Sequence, residues 1–441
     1  MLAFQNLQSR GMMMNENFKM STSMLNHTCR STILSTIKNR QTFENAVNLL
    51  LNEKKEFIVY LVDIDDFKLI NEQHGYSYGD YFLACLFKAF NNLLLSTFRL
   101  SGDQIALVEE TRDLKSISKT ITKIRDIVNY ASKSESINQS VTCSIGVLNC
   151  PEDGKTVESI ERHIDIAINE AKAKGKNTDI IYTQSLKDKL DRVRGIELGV
   201  AHALQTDGFD LFLQPIFDMN DCSHKKYEVL LRWLSADNKG ISIGEVIGVA
   251  EKSSQITEID RYVIDKMFFI IMKYSRQEKF CINISAQSFY DDVFISFLEE
   301  KLLEYSVSPE LIELEITEYS CVKDIEHTKK NMQRIKSLGF RIALDDFGTE
   351  YSSLNYLGKL PFDALKIDKS YVDEICNPTD WIIVKHLIAL ANELKLDTIA
   401  EGIEDSDQKN ILKDLGCKYG QGYLISKPKD YKVMLDINED D

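Results

Sequence analysis

The residues best suited to chemistry lie in the second half of the chain, where short apolar segments repeatedly end in a polar side chain. These side chains are Glu228, Asn283, Glu315, Asp345, Asp346, Lys366, Asp368, Glu401 and Gln421. Several carboxylates converging on one rim would repel each other unless cations neutralised them. All-oxygen ligands suit Mg²⁺ or Mn²⁺ rather than zinc, and two such ions about 3.5 to 4 Å apart serve in-line attack on a phosphate ester. The pattern therefore predicts a two-metal hydrolytic site.

Each of these residues also has an ordinary alternative role. A single acid at a strand end more often caps a helix or lies on the surface. Lys366 could be a plain salt-bridge partner, or it could orient the attacking water and stabilise charge. The recurrence favours the functional interpretation, because surface acids have no reason to follow one apolar segment after another. Asp345 and Asp346 are adjacent, so one can bridge two ions while the other reaches the second ion or the water.

The elements that must position these residues form a regular alternation. Apolar segments begin near residues 227, 280, 311, 340, 363, 397 and 419, and amphipathic helical stretches, such as 292–304, 327–338 and 381–394, separate them. About eight repeats of strand and helix predict a parallel sheet closed into a (β/α)8 barrel of the TIM type. In such barrels the carboxyl ends of the strands form the active-site face.

The second half resembles the EAL domain family, phosphodiesterases that hydrolyse cyclic di-GMP to the linear dinucleotide pGpG. The matching stretches, in family order, are LQPI (213–216), EVLLR (228–232), NIS (283–285), LEITE (314–318), DDFGTEYSSL (345–354), LKIDKSYV (365–372), AEGIE (400–404) and QGYLISKP (421–428). They extend over about half of the chain, so the resemblance is specific.

The resemblance implies a role for each matching position. The implied metal ligands, direct or through water, are Glu228, Asn283, Glu315, Asp345, Asp346 and Glu401. The implied catalytic residues are Lys366, which would act on the attacking water, together with Asp346, Glu401 and Gln421. The implied substrate contacts are Gln214, Leu230, Arg232 and Asp368, and Glu318 would hold the loop after Asp346. The resemblance also implies a homodimer formed through this domain.

Two departures from the family pattern bear on activity. The signature reads Glu-Val-Leu instead of Glu-Ala-Leu, a change between apolar strand residues that should be nearly neutral. Glu350 stands where the family has a second glycine, which costs about 1 kcal/mol if φ is positive there and adds a negative charge near the metals. The level of activity therefore stays open, and a catalytically silent cyclic di-GMP receptor that signals through a protein partner is the alternative.

The first half has a different pattern. Helices are predicted at 43–51, 79–95, 114–131 and 157–173, and strands at 57–62, 141–148 and 179–182, with a strand pair around the turn at 101–104. Few strands separated by helices, with one hairpin, predict an α+β domain with a single sheet.

This half resembles the GGDEF domain family of diguanylate cyclases. The supporting stretches are IKNR (37–40), VDIDDFKLINEQHG (62–75), GD (79–80), VTCSIGV (141–147) and AKAKGKN (171–177). The resemblance implies a GTP and Mg²⁺ site, with Asp63 and Asp103 on the ion, Asn71 and Asp80 on guanine, and Lys172 and Lys176 on the phosphates.

The cyclase signature itself is degenerate, because Ser-Gly-Asp-Gln-Ile at 101–105 stands for Gly-Gly-Asp-Glu-Phe. Gln104 replaces a carboxylate with a neutral amide, and Ser101 narrows the space beside the backbone. The product-inhibition motif R-x-x-D is replaced by Asn-Leu-Leu-Leu at 92–95. We therefore expect no synthesis of cyclic di-GMP. Our hypothesis is a GTP-binding regulatory domain, and the alternative is a structural remnant that binds nothing.

Size, charge and cysteine usage set the broader limits. The chain of 441 residues carries a formal net charge of −15, which argues against coating a nucleic acid polymer or an anionic membrane. Its nine cysteines include no C-x-x-C pair, so a reducing cytoplasm is expected, and no apolar run approaches the roughly 20 residues of a membrane span. The predicted organisation is a poorly ordered segment (1–32), a degenerate GGDEF domain (33–183), a linking helix region (184–208) and an EAL domain (209–437).

Overall fold

The computed structural model describes residues 38–93, 95–111, 113–134, 141–234, 240–318, 324–347 and 357–437. The chain divides into two compact units between Asp191 and Arg192. Among the described residues, no helix combines the length and the apolar character that crossing a membrane requires.

The first unit contains one five-stranded sheet in the order β2-β3-β1-β4-β5. Its strands are β1 (Phe57–Ile64), β2 (Ser96–Ser101), β3 (Gln104–Glu109), β4 (Cys143–Cys150) and β5 (Asp179–Ile181). Its helices are α1 (Arg40–Asn52), α2 (Phe67–His74), α3 (Tyr76–Asn91), α4 (Ser116–Ser134) and α5 (Val157–Ala173). Helix α2 directly follows the left-handed residue Asp66 and was not predicted from the sequence.

The central strand β1 is buried at every position, because helices cover both faces of the sheet. Successive side chains of a strand point to opposite faces. Accordingly, Tyr60 and Val62 join the apolar cluster that includes residues of α3 and α4, whereas Val59 and Leu61 join the cluster that includes residues of α1 and α5. The fold class predicted for this half, an α+β domain with a single sheet, is confirmed.

Helix α6 (Gln184–Gln205) contains the point at which the two units divide. The strands of the second unit are β6 (Phe209–Asp218), β7 (His224–Trp233), β8 (Lys279–Asn283), β9 (Ile312–Thr317), β10 (Arg341–Phe347), β11 (Ala364–Ile367), β12 (Asp397–Ala400), β13 (Tyr419–Gly420) and β14 (Lys429–Asp430). Its helices are α7 (Ile243–Lys252), α8 (Ile256–Lys273), α9 (Ala286–Tyr290), α10 (Asp292–Tyr305), α11 (Ile325–Ser337), α12 (Lys369–Asp373), α13 (Pro378–Glu393), α14 (Ser406–Asp414) and α15 (Tyr431–Met434).

Strands β6 to β13 form a closed barrel of eight strands, because β13 pairs with β6. The predicted barrel is therefore confirmed, with one difference. Strand β6 runs antiparallel to both β7 and β13, whereas all other neighbours in the barrel are parallel. The connection from Asp218 to His224 is too short for the dozen or more residues that a parallel crossover needs, so β6 and β7 form a hairpin.

The barrel interior is built in layers, because alternate residues of each strand face inward. A middle layer is apolar and contains Ile216, Cys281, Ala343, Ala364 and Ile399. Two residues earlier in β7 and β9 than the predicted ligands, Lys226 and Glu313 form a buried ion pair. The pair borders the predicted site residues, because one carboxylate oxygen of Glu313, one of Glu315 and the Cys281 Sγ all lie within 4.8 Å of one another.

Candidate active site

The structure brings the predicted ligand set together at one end of the barrel. Glu228 lies in the middle of β7, and the other strands contribute through their carboxyl-terminal parts. These contributions are Asn283 from β8, Glu315 from β9, Asp345 and Asp346 from β10, Lys366 from β11, Glu401 just after β12 and Gln421 just after β13. Parallel strands end at the same edge of a barrel, so the fold alone explains why residues almost 200 positions apart meet.

Lys366 lies at the centre of this cluster and is 1% exposed. Its Nζ lies 2.7 Å from Glu401 Oε1, 2.9 Å from Glu315 Oε2, 3.0 Å from Asp345 Oδ1 and 3.7 Å from Glu228 Oε1. Burial alone would lower the pKa of Lys366, but the surrounding carboxylates raise it well above its usual value. The lysine is therefore a permanent cation that helps to hold the acids together.

One lysine does not neutralise five carboxylates, and the raised pKa values of two of these acids show the imbalance. Burial raises the pKa of Glu401 to about 8, with Asp345 and Glu228 adding to the effect, although Lys366 opposes it. Burial and the charge of Asp345 raise the pKa of Asp346 to about 6. Since both shifts favour the neutral acid, the cluster carries unbalanced negative charge when all its members ionise.

The cluster has the donor set that a divalent cation needs. One carboxylate oxygen from each of Asp345, Asp346 and Glu401 lies within 4.8 Å of the others. Glu315 Oε1 and Gln421 Oε1 are buried and have no hydrogen-bond partner among the described residues. A buried oxygen without a donor is costly, and a hard cation such as Mg²⁺ or Mn²⁺ would satisfy it. The residues present therefore fit the divalent metal expected from the sequence.

Asp345 and Asp346 can both serve this site because the pairing of β10 with the neighbouring strand β11 is irregular at this point. The pairing of β10 with β11 shifts register between Leu344 and Phe347, and Asp346 adopts φ = 55°. In a regular strand adjacent side chains point to opposite faces, so one of the two acids would point away. The left-handed backbone instead turns Asp346 toward the rim, and its N–H donates to Asp345 Oδ1 at 3.0 Å.

Two side-chain amides donate to Glu228, and a third contacts one of them. Asn283 Nδ2 donates to Glu228 Oε1 at 3.0 Å, and Gln421 Nε2 donates to Glu228 Oε2. Gln421 Nε2 also lies 3.0 Å from Gln214 Oε1, and Gln214 Nε2 donates to the Ser426 carbonyl at 3.1 Å. This chain of amides crosses the seam between β6 and β13, so closure of the barrel itself orients the first acid of the EVL signature.

The residues predicted to contact the substrate differ in their burial and in their local partners. Arg232 is half-buried above the ring of Phe212, with its guanidinium carbon 5.3 Å from the ring centroid, and it donates to the Leu231 carbonyl at 2.8 Å. Leu230 is also half-buried in β7. Asp368 caps α12 by accepting from the N–H and hydroxyl of Ser370 at 3.0 and 2.5 Å, so its carboxylate already has a local structural partner.

Part of the predicted loop support lies outside the described residues. Glu318 is described and buried just beyond β9. The loop that it was expected to hold falls in 348–356, and Glu350 lies there too, outside the described residues.

Two features of the site were missed by the sequence analysis. Asp260 in α8 is buried and accepts from the N–H and Oγ of Ser285 at 3.0 and 2.6 Å, so it anchors the segment that follows Asn283. Lys226 pairs with Glu313, whose Oε1 also lies 3.5 Å from the Sγ of Cys281. The available signal was period two: Lys226 and Glu313 each precede a ligand by two residues, so they share its inward face.

Several residues predicted to form a nucleotide site in the first unit make close contacts with neighbouring side chains. Lys172 Nζ lies 2.6 Å from Asp63 Oδ2, and Lys176 Nζ lies 2.7 Å from Asp66 Oδ1. Asn71 packs over Gly79, where an added Cβ would lie 2.0 Å from Asn71 Oδ1. The glycine therefore leaves room for the amide that was expected to read guanine.

The two acidic positions near the signature turn have different partners. Asp80 lies 3.7 Å from Arg99 Nη2, a contact between partly exposed groups. Asp103 is half-buried, and burial together with the charge of Asp63 raises its pKa. Gln104 Nε2 donates to Asp63 Oδ2 at 3.2 Å.

Comparison with known proteins shows likeness in both units. A family model described as EAL domain matches residues 199–428, and one described as diguanylate cyclase, GGDEF domain, matches residues 33–178. The signaling protein YkoW of Bacillus subtilis is 31% identical over 408 residues, which is 90% of this chain and 51% of that protein. The bifunctional diguanylate cyclase/cyclic di-GMP phosphodiesterase MucR of Pseudomonas aeruginosa is 28% identical over 89% of this chain and 58% of that protein.

The chain thus spans about half the length of the curated relatives it matches. Among solved structures, the cyclic di-GMP complex of the PaMucR phosphodiesterase is similar with a TM-score of 0.52 and 29% identity. That similarity covers 54% of this chain and 99% of the solved one.

Proposed function

This chain belongs to the EAL domain family and carries a GGDEF domain ahead of it, and on that premise we propose that its barrel hydrolyses cyclic di-GMP to pGpG. The observation that carries the proposal is the cluster of five carboxylates, four of them within 3.7 Å of Lys366 Nζ, in which Glu315 Oε1 has no donor among the described residues. Such a cluster destabilises the folded chain unless bound cations neutralise its negative charge. The related MucR carries the name of a cyclic di-GMP phosphodiesterase, which supports the same substrate.

In the proposed reaction, water adds to one phosphorus of the cyclic dinucleotide and the bond from that phosphorus to O3′ breaks. Two Mg²⁺ or Mn²⁺ ions, held by Glu228, Asn283, Glu315, Asp345, Asp346 and Glu401, would supply charge neutralisation and acidify the attacking water. Lys366 would orient that water and stabilise the charge that develops, since its ammonium already lies among these acids.

The remaining residues would position the substrate and the site. Asn283 and Gln421 donate to the two oxygens of Glu228 and so keep its carboxylate in one orientation. Arg232 would contact a phosphate, and its half-buried guanidinium on Phe212 is restrained for that purpose. Gln214 and Leu230 would contact the substrate from β6 and β7.

The direct test is product analysis. The full chain is incubated with cyclic di-GMP and Mg²⁺ or Mn²⁺, and the products are separated by chromatography. We expect pGpG from the wild-type chain and none from Glu228→Ala. Tight binding of cyclic di-GMP without a linear product would instead support the catalytically silent receptor, the alternative suggested by the departure from the family pattern at Glu350. Glu350→Gly should leave the rate equal or raise it, and a large loss of rate would contradict our account of that position.

For the first unit, we propose a regulatory nucleotide site without cyclase activity. Support comes from the paired lysines, from Asn71 over Gly79, and from the neutral Gln104 where the family has an acid. A ligand can shift the barrel between less and more active states only if it binds those states with different affinity. The proposal fails, and the structural remnant is favoured, if millimolar GTP changes neither the melting temperature nor the hydrolysis rate.

We also propose a homodimer formed through the EAL domain and a reducing cytoplasm as its location. Trp381, Ile382 and Ile383 at the start of α13 are all between about one third and one half exposed, which is unusual for three successive large apolar residues. The described cysteines are all free, which suits a reducing compartment. The domain limits 33–183, 184–208 and 209–437 remain part of the same proposal.

A further inference from the structure

Two departures of the first unit from its family signature are linked by a hydrogen bond. Ser101 Oγ donates to Gln104 Oε1 at 2.9 Å, and Gln104 Nε2 donates to Asp63 Oδ2 at 3.2 Å. Once Ser101 engages the carbonyl oxygen of the amide, only the NH₂ group can point at Asp63. The opposite orientation would place two oxygens with lone pairs against each other. Ser101 and Gln104 therefore act as one unit directed at Asp63.

The backbone holds this contact. Asp63 in β1 and Gln104 in β3 are direct partners in an antiparallel ladder. Directly opposite residues in such a ladder have Cβ atoms about 4.5 to 5.5 Å apart, which suits a bond between these two side chains. The Asp63 side chain is 5% exposed, and Lys172 Nζ lies 2.6 Å from the same Oδ2 atom. One carboxylate oxygen of Asp63 thus receives two N–H donors.

A divalent cation does not fit this arrangement as it fits the barrel. In the barrel, four carboxylates lie within 3.7 Å of Lys366 Nζ, and in the described part of the chain Glu315 Oε1 has no donor. In the first unit, two carboxylates, Asp63 and Asp103, face Lys172 and a neutral amide. The Gln104 NH₂ group stands where a glutamate would offer oxygen, and its partial positive charge opposes a cation at Asp63.

The neighbouring acid does not compensate. Asp65 is also buried, but its carboxylate accepts from Thr142 Oγ1 at 2.6 Å, Ser144 Oγ at 2.7 Å and the Asn177 N–H at 3.0 Å. These hydrogen bonds use the Asp65 carboxylate to connect the end of β1 with β4 and with the segment before β5. The residues present therefore disagree with the Mg²⁺ that the family resemblance implied at Asp63 and Asp103.

We infer that the hydrogen-bonded side chains of Ser101, Gln104 and Asp63 have replaced the divalent ion of the first unit, so that a guanine nucleotide binds there without Mg²⁺. The inference rests on the nucleotide binding proposed above and deepens it. The contacts left for the ligand are the amide of Asn71 for the base, and Lys172 and Lys176 for phosphate once they release Asp63 and Asp66.

The test is calorimetric titration of the full chain with GTP, once with Mg²⁺ and once with EDTA. We expect dissociation constants within about twofold of each other. Gln104→Glu restores the third carboxylate and removes the donor, so Mg²⁺ should then strengthen GTP binding about tenfold or more. Gln73→Glu makes the same change at an exposed position of α2 and should behave as wild type.

Three results would overturn the inference. They are GTP binding that requires Mg²⁺ in the wild-type chain, no GTP binding under either condition, and a Gln104→Glu variant that stays indifferent to Mg²⁺. Gly79→Ala, whose Cβ would collide with the Asn71 amide, locates the binding, because it should abolish titration heat only if GTP binds the first unit. Hydrolysis of cyclic di-GMP is measured separately, so failure of the barrel proposal would leave these titrations unaffected.

Discussion

At the scale of single residues, this protein places charge where charge is costly. Lys366 is almost completely buried among acids, and Asp346 combines a left-handed backbone with a carboxyl whose burial opposes ionisation. A non-glycine residue at positive φ costs about 1 kcal/mol, and such strain persists only where the surroundings impose it. The bulge in β10 therefore lowers the stability of the folded chain but brings a second acid to the rim.

Asp346→Asn tests this trade. Asparagine tolerates positive φ and keeps the side-chain shape, but it cannot ionise. We expect hydrolysis to fall about 100-fold or more. At pH 8 and without metal, the melting temperature should rise, because an acid whose folded pKa is near 6 destabilises the folded chain once ionised. Asp407→Asn, on the exposed side of α14, should change neither quantity, and an active Asp346→Asn enzyme would remove Asp346 from the site.

The raised acid pKa values also predict how metal affinity depends on pH. Burial raises the pKa of Asp346 to about 6 and that of Glu401 to about 8, so the metal-free folded chain holds these protons more tightly than the unfolded chain does. Their contribution to stability is present at low pH and lost as the pH rises through those values. A cation must displace the protons, so Mn²⁺ affinity should rise from pH 6 to pH 8 with proton release. Titration calorimetry in buffers of different ionisation enthalpy measures this release, and a pH-independent affinity would contradict it.

At the scale of strands and helices, the barrel is held by polar as well as apolar layers. Lys226 of β7 and Glu313 of β9 are both buried, and Arg341 of β10 lies 2.9 Å from Glu313 through its Nε. Burial opposes the charge of Glu313, but Lys226 and Arg341 lower its pKa to about 2. Together with Arg341, this pair links three strands of the barrel, β7, β9 and β10, each of which also carries an acid of the site.

Breaking the pair should therefore cost more than replacing it. Lys226→Met leaves Glu313 buried with Arg341 alone and should lower the free energy of unfolding by about 3 kcal/mol. Lys226→Met combined with Glu313→Leu removes both charges and should recover most of that loss, since Arg341 keeps Asp397 at 2.7 Å. Urea unfolding of both variants measures the difference. Equal destabilisation of the single and double variants would show that the pair itself, not the stranded charge, provides the stability.

At the scale of the whole molecule, two compact units with different sheet architectures follow one another in the chain. In the first, the neutral Gln104 stands beside Asp63, whereas the second brings five carboxylates together at one end of its barrel. This difference makes the barrel the proposed catalyst and the first unit the proposed regulator.

The proposed homodimer gives a prediction at this scale. Ile382 is 49% exposed between Trp381 and Ile383 on α13. Ile382→Asp should weaken self-association about tenfold or more, because the charge would have to be desolvated at the interface. Light scattering after gel filtration measures the mass across a concentration series. Val433→Asp, at an exposed apolar residue of α15, is the matched control, and an unchanged mass for Ile382→Asp would exclude this face.

The sequence by itself determined the two folds and the identity of the barrel acids, because both depend on local signals. Strand and helix periodicity is visible along the chain, and the ends of parallel strands must meet. Helices expected at 292–304, 327–338 and 381–394 correspond to α10, α11 and α13. Only the tertiary structure decided the antiparallel direction of β6, the turn of Asp346 toward the rim, the Lys226–Glu313 pair and the orientation of Gln104. The direction of β6 follows from its short connection to β7, which became clear once the ends of both strands were known. The other three features depend on contacts between residues distant in sequence, which form only when the sheet registers are set.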